Sequence, residues 1–167
     1  WMALELTGLT GKVAVITGAG RMRSIGRGIA AELARAGCDI VLTGTGRAPQ
    51  DFPPDEQQAG WRDIESVADE MRALGRRALP LVSDVTDIDS VNELLGQVLA
   101  EFGRVDVVVN NAGAPRSGDR VPVVDVDPAV WRRIFDVNLH GSFYMSQVFG
   151  RQLIAQGDGG AIVNISS

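Results

Sequence analysis

Residues 12–30, KVAVITGAGRMRSIGRGIA, constrain the fold more than any other stretch, because an apolar run, a glycine-containing turn and a helical repeat follow one another directly. Val13 to Ile16 have the continuous apolar pattern of a central parallel strand covered on both faces, and Ile25, Ile29 and Leu33 recur at helical spacing. The backbone must turn sharply between them. Gly18, Gly20 and Gly26 permit positive φ or the close approach of another backbone or a ligand. A helix beginning near Ser24 presents unpaired N–H groups and the positive end of its dipole, so Gly18, Gly20, Arg21, Ser24, Ile25 and Gly26 form a candidate cradle for a pyrophosphate. Any strand-to-helix turn favours glycine, and Arg21 to Ser24 make this one longer than the common G-x-G-x-x-G. Its meaning therefore rests on the rest of the chain.

The rest of the chain alternates strand and helix. The first helix ends at Ala36 with Gly37 as its cap, and Ile40 to Thr43 form the second strand. Residues 44–62 hold Pro49, Pro53 and Pro54 among many polar residues and read as an irregular inserted loop, with Trp61 as a hydrophobic anchor. Ile64, Val67, Ala68, Met71 and Leu74 mark one face of a helix that Gly75 ends. Ala78 to Val82 is a third strand, whose Pro80 favours an edge position. Ser90 caps the next helix, with Val91, Leu94, Leu95, Val98, Leu99 and Phe102 inward and Gly103 at its end. Val105 to Val109 is the fourth strand. After a loop with Pro115, Gly118 and Pro122, Asp127 and Pro128 start a helix that runs to about Gln156, and Ala161 to Ile165 is the fifth strand. Such alternation predicts an α/β fold, a doubly wound parallel sheet with right-handed crossovers and helices on both faces.

Composition narrows the partners. With 167 residues and 45% hydrophobic content the chain suits one domain with a sizeable core. A net charge of -5 disfavours nonspecific binding to nucleic acid or anionic lipid, so neither nucleic acid nor membrane is expected as a partner. No apolar run approaches the ~18 residues of a membrane span and the start lacks a signal-peptide pattern, which predicts a cytoplasmic location. The single Cys38, beside the second strand, reads as a small buried residue, and the single His140 as a packing or surface residue. No cluster of His or Cys suggests a metal site.

Five motifs then occur in order: Thr17 to Gly20 with Gly26, Asp84-Val85 after the third strand, Asn110-Asn111-Ala112-Gly113 after the fourth, Val137-Asn138-Leu139 in the long helix, and Asn164 to Ser167 closing the fifth. Together they resemble the short-chain dehydrogenases/reductases over nearly the whole chain, and oxoacyl-reductase-like members in particular. The resemblance implies a Rossmann-like, single dinucleotide-binding domain over residues 1–167. It implies an oxidoreductase that transfers a hydride between a nicotinamide cofactor and a small-molecule carbonyl or alcohol substrate. Four of the motifs lie at or just past the carboxyl ends of strands, where an open parallel sheet binds its ligand. The resemblance places Asp84 and Val85 at the adenine, and the main chain of Asn110, Asn111, Ala112 and Gly113 near the adenosine ribose. It makes Ser167 the hydrogen-bond donor to the substrate oxygen and Asn138 the support of a water-linked proton route.

The family also uses a Tyr-x-x-x-Lys pair downstream of that Ser. Here the only Tyr is Tyr144, in the long helix before the Ser, and the only Lys is Lys12. The expectation is that these residues stop short of a full enzyme, lack the family's later strands and helices, and alone are inactive. Two other readings stand beside this one. The Thr17-Gly-x5-Ser24-Ile25 spacing resembles divergent enoyl-thioester reductases, and a noncatalytic dinucleotide-binding protein would need neither Tyr nor Lys. Trp131, Phe135, Phe143 and Phe149 cannot all face one sheet, which with the family habit implies a homodimer or homotetramer through the long helix. Arg116, Asp119 and Arg120 read as a solvated loop. At the end of the second strand stand Gly44, Thr45, Gly46 and Arg47, with no carboxylate. Thr45, Arg47 and Arg21 could hold a 2′-phosphate, so NADP is expected. NAD is the alternative, with Asp51 or another acid of the inserted loop folding back onto the ribose.

Overall fold

The computed structural model describes residues 8–114, 118 and 120–166. Val13–Ile16 form β1, Asp39–Gly44 β2, Ala78–Val82 β3, Val107–Asn110 β4 and Ala161–Asn164 β5. They make one sheet in the order β3-β2-β1-β4-β5, with every pairing parallel. The helices are α1 (Ile25–Arg35), α2 (Pro54–Gln58), α3 (Ile64–Ala73), α4 (Ile88–Phe102), α5 (Pro128–Phe135) and α6 (Ser142–Gln156). Pro80 lies in β3, an edge of the sheet, where its missing N–H costs no ladder bond.

Strand alternation sorts the core into two layers. Ala14, Ile16, Ile40 and Leu42 point to one face, against Ala30 and Ala34 of α1 and Val67, Ala68 and Met71 of α3. Val13, Val15, Val41 and Val108 point to the other, against Val91, Leu94 and Val98 of α4 and Met145, Phe149 and Leu153 of α6. β1 is buried along its whole length, as its unbroken apolar run requires.

Four expectations need correction. The buried stripe of α1 is Gly26, Ala30 and Ala34, one place on from the large residues; Ile25 is 65% exposed. Small side chains let this helix lie close to the sheet. α4 starts at Ile88, not at Ser90, because the Asp87 side chain accepts from the Asp89 N–H; the Ser90 hydroxyl instead accepts from the Asp84 N–H at 3.0 Å. The insertion is not irregular throughout. It folds into a 3₁₀ turn, Pro49–Asp51, and α2, each with proline in its first turn. The long helix is not continuous either, since a π-helical turn, Asp136–Gly141, separates α5 from α6.

At the amino-terminal edge of the sheet, Asp106 ties β1 to the approach to β4. Its carboxylate accepts from the Val13 N–H at 2.9 Å, from Lys12 Nζ at 3.1 Å and from Arg104 Nε at 2.9 Å, and its side chain is only 5% exposed. Burial pushes the Asp106 carboxyl up, but the Arg104 guanidinium, the Val13 amide and the Lys12 ammonium together hold it below the usual carboxylate range. A depressed folded value makes this contribution present above the unfolded pKa of about 4, and lost as pH falls through the folded value. Asp106→Asn should therefore destabilise the protein by about 1–3 kcal/mol at neutral pH. Urea denaturation across pH checks this, and the gap to wild type should narrow as pH falls from the unfolded value of about 4 through the lower folded one and the wild-type carboxyl is protonated.

Candidate functional site

The strand order runs outward from β1 to β2 and β3, then resumes on the other side with β4 and β5, so the chain leaves β1 and β4 in opposite directions. A crevice opens at such a reversal, beyond the carboxyl ends of the strands. Its walls are clamped together. The Thr17 hydroxyl accepts from the N–H groups of Asn111 at 3.0 Å and Ala112 at 2.9 Å, while Asn111 Nδ2 donates to the carbonyls of Thr17 at 2.8 Å and Gly18 at 3.2 Å. Gly18 has φ +65°, and a Cβ on it would stand 2.7 Å from Ala112 Cα. On Gly26 a Cβ would stand 2.6 Å from Asn111 Nδ2. Glycine is thus required at position 18 by the approach of the Ala112 backbone, and at position 26 by the Asn111 side chain and the main chain of Gly18 and Ala19. Ser24 caps α1 by accepting from the Arg27 N–H at 3.2 Å, and the N–H groups of Ile25 and Gly26 lie in the first turn, without helix partners.

The other motifs close on the same place. Asn138 sits in the π turn, and its Oδ1 accepts from the Ala114 N–H at 2.8 Å, which fixes the far end of the 110–114 segment beside Gly113. Gly141, also in the π turn, admits Val85: a Cβ there would lie 2.6 Å from Val85 Cγ2. Asp84 Oδ1 accepts from the N–H and hydroxyl of Thr86 at 2.9 and 2.8 Å. Burial raises the Asp84 carboxyl, but these two bonds and the Arg133 charge outweigh it, so Asp84 is held below its ordinary value and charged. Asn110 is buried, and its side chain braces the sheet, donating to Asn164 Oδ1 at 2.8 Å and Ser146 Oγ at 3.1 Å. Its Oδ1 is buried without a partner among the described residues.

The insertion hangs on the glycine turn. Trp61 anchors it, but through a hydrogen bond as well as apolar contact: its indole N–H donates to the Gly20 carbonyl at 2.7 Å. Glu56 Oε1 accepts from the Met22 N–H at 2.8 Å. Arg47 donates to Glu56 Oε2 at 3.0 Å and to Asp63 Oδ1 at 2.7 Å, and its guanidinium lies 4.7 Å from the centre of the Phe52 ring. Arg47 therefore stands with its charge already matched, whereas Arg21 and Thr45 are exposed. The sequence reading does not single out Glu56 or Asp63. The only signal for them is the missing carboxylate at the end of β2 next to an insertion that carries several acids.

Ser167, Arg116 and Asp119 lie outside the described residues. His140 is exposed, with Nδ1 3.1 Å from Asp136 Oδ1, and Tyr144 packs against the core beside it. Neither joins the crevice walls.

A family model described as short chain dehydrogenase matches residues 12–167. The chain belongs to that family. A 2-dehydro-3-deoxy-D-gluconate 5-dehydrogenase of Escherichia coli (strain K12) is 38% identical over 99% of this chain and 57% of the relative. The crystal structure of NAD+-bound xylitol dehydrogenase superposes with a TM-score of 0.79 at 31% identity, covering 96% of this chain and 54% of that one. A metagenomic short-chain oxidoreductase in complex with NADP gives a TM-score of 0.76 at 34% identity, covering 95% of this chain and 63% of that one. The chain of this short-chain dehydrogenase family member thus spans 57% of the curated relative's length.

Because Gly18 combines positive φ with a 2.7 Å clash, Gly18→Ala should destabilise this family member by roughly 2 kcal/mol or more. Gly96→Ala, in α4 with open space around it, should stabilise by roughly 0.5–1 kcal/mol. Thermal unfolding of the two variants measures both, and similar effects from both would contradict the crevice packing.

Proposed function

We propose that this chain is the single dinucleotide-binding domain of an oxidoreductase acting on a carbonyl or alcohol substrate, and that the domain continues beyond residue 167 with further family elements. The observation that carries the reading is the clamp between the glycine turn and residues 111–112, which leaves a backbone-lined crevice beside the amino end of α1. The residues fit a dinucleotide. Gly18, Gly20 and Gly26 keep three positions of the turn free of a Cβ, and the first-turn N–H groups of Ile25 and Gly26 can donate to a pyrophosphate, with Arg21 and Ser24 at its rim. Asp84 can accept from an adenine amino group and the Val85 N–H can donate to the ring. The main chain of Asn111, Ala112 and Gly113 borders the adenosine side, held in place by Asn110.

When bound, a nicotinamide dinucleotide, NAD or NADP, supplies the hydride acceptor or donor. The chain's own part is to bind, to orient and to move protons. The Ser167 hydroxyl donates to the substrate oxygen as negative charge grows on it, and Asn138 holds a water in a proton route through the opened π turn. We place the protein in the cytoplasm as a homo-oligomer. Trp131, Phe135, Leu139 and Phe143 are exposed along α5, the π turn and α6, a stripe suited to a second copy. Light scattering of the full-length protein should give a dimer or tetramer, and a monomer at micromolar concentration would count against it.

Activity is tested on the full-length protein by following reduced-nicotinamide absorbance with a 2-dehydro-3-deoxy sugar acid, for which the Escherichia coli relative is named, and with cyclic alcohols. Turnover of any of these supports the reading. Ser167→Ala should then lower kcat by about 10²-fold or more and leave cofactor affinity within about twofold, because the hydroxyl acts on charge that develops only during reaction. Near-normal turnover would show Ser167 to be a turn residue.

A further inference from the structure

We propose that Asp63, the residue that follows the insertion, supplies the carboxylate that reads the adenosine ribose in place of a side chain at the end of β2, and that it makes the protein prefer NAD to NADP. This rests on the dinucleotide-binding reading above.

The placement of Asp63 carries the argument. β2 ends at Gly44, which has no side chain to offer. A Cβ built there would lie 3.5 Å from Asp63 Oδ2, so the carboxylate occupies the space into which a strand-end side chain would project. On its other side Asp63 presses against the glycine turn, since a Cβ on Gly20 would come within 1.9 Å of Oδ1. A group between the end of β2 and a pyrophosphate-binding turn faces the ribose of the adenosine half. Asp63 is also held there against its local preference. It precedes α3 at the N-cap, yet its side chain caps nothing, and its backbone sits at φ 54°, ψ -132°, which side-chain-bearing residues rarely adopt. The side chain is 10% exposed and Arg47 Nη2 fixes its Oδ1 at 2.7 Å.

Charge then decides between the two nucleotides. Glu56 and Asp63 carry two negative charges against the single positive charge of Arg47, so the group is net negative and mostly buried. Ribose hydroxyls can donate to the Asp63 carboxylate, whereas a 2′-phosphate would bring more negative charge to the same place. Arg47 cannot turn to that phosphate without leaving a buried carboxylate unpaired. The brace on the glycine turn does not depend on Asp63, because the Met22 N–H is held by Glu56 and the Gly20 carbonyl by Trp61.

The test is the dissociation constants of NAD+ and NADP+, measured by titration calorimetry on the full-length wild type and on Asp63→Asn and Asp63→Gly. The glycine variant suits φ 54°, and so keeps the fold even if the asparagine variant does not. Wild type should bind NAD+ at least ~10-fold more tightly than NADP+. Both variants should lose ~10-fold or more in NAD+ affinity while NADP+ affinity holds or rises. A purely structural Asp63 would weaken both nucleotides together and leave their ratio unchanged, which overturns the assignment, as does a wild type that prefers NADP+. Failure of folded wild type to bind either nucleotide would overturn the functional reading and this assignment with it.

Discussion

β1 must pair on both sides, and the site follows from that. Its four residues take hydrogen bonds from β2 and β4 and alternate between the two helical layers, so neither the strand nor its neighbours can shift without moving a whole layer. Paired strands bring their ends to a common level: Ile16 lies opposite Leu42 in β2 and Val109 in β4. One step further along are Thr17, just past β1, Thr43 within β2 and Asn110, the last residue of β4, and all three are buried. Thr17 carries the consequence furthest. Its N–H continues the ladder to the Val109 carbonyl at 3.0 Å, while its hydroxyl takes the N–H groups of Asn111 and Ala112 just beyond β4. The last rung of the sheet thereby becomes the floor of the crevice.

That floor does not hold the glycine turn by itself. Beyond Ala19, whose N–H reaches the Thr43 carbonyl at 3.0 Å, the turn leaves the sheet and its support comes from the insertion. Arg27 joins the two at several points. It donates to the Met22 carbonyl at 2.6 Å, makes two bonds to Glu70 at 2.8 and 2.9 Å, and lies 5.3 Å over the Trp61 ring. Charge-assisted bonds of this kind are stronger than neutral ones, and the half-exposed setting tempers them. A long turn carrying Arg21 and Arg23 thus acquires one conformation from acids and an indole that lie some forty residues on, as the Trp61 to Gly20 bond illustrates.

Much of this fold could be read from the sequence because its signals are local. Val13 to Ile16 is bounded as its apolar run predicts, Ser24 caps α1 as its side chain allows, and Gly103 and Gly37 end helices at positive φ. The family motifs fall at strand ends that the fold brings together where the strand order reverses. What escaped was set by competition or by distance. Asp87 and Ser90 both suit an N-cap, and only the fold shows Ser90 drawn off to Asp84. Ala30 and Ala34 hide in a sequence where Ile29 and Leu33 carry the stronger apolar signal, although close packing on a sheet favours small side chains. The pairing of Arg47 with Glu56 and Asp63 joins a turn, a short helix and a helix start, and no spacing along the chain announces it.

The π turn shows how one local departure serves two demands on one helix. The Asp127–Pro128 start and the apolar residues that follow suit a regular helix, and nothing in their spacing marks a widened turn at Asp136–Gly141. An i→i+5 turn holds one more residue than its α counterpart, so the faces before and after it are offset. Ahead of the turn, α5 buries none of its residues and sets Trp131 against Phe135 with ring centres 4.8 Å apart and planes tilted by 40°. After it, α6 drives Met145, Phe149 and Leu153 into the core. At the turn itself Val137 and Gly141 are buried, which seats Asn138 where its amide oxygen meets the Ala114 N–H. A continuous α-helix would keep one face along its whole length. The widened turn instead lets the second half pack on the sheet while the first half stays open, and it places a polar side chain at the crevice where the two halves meet.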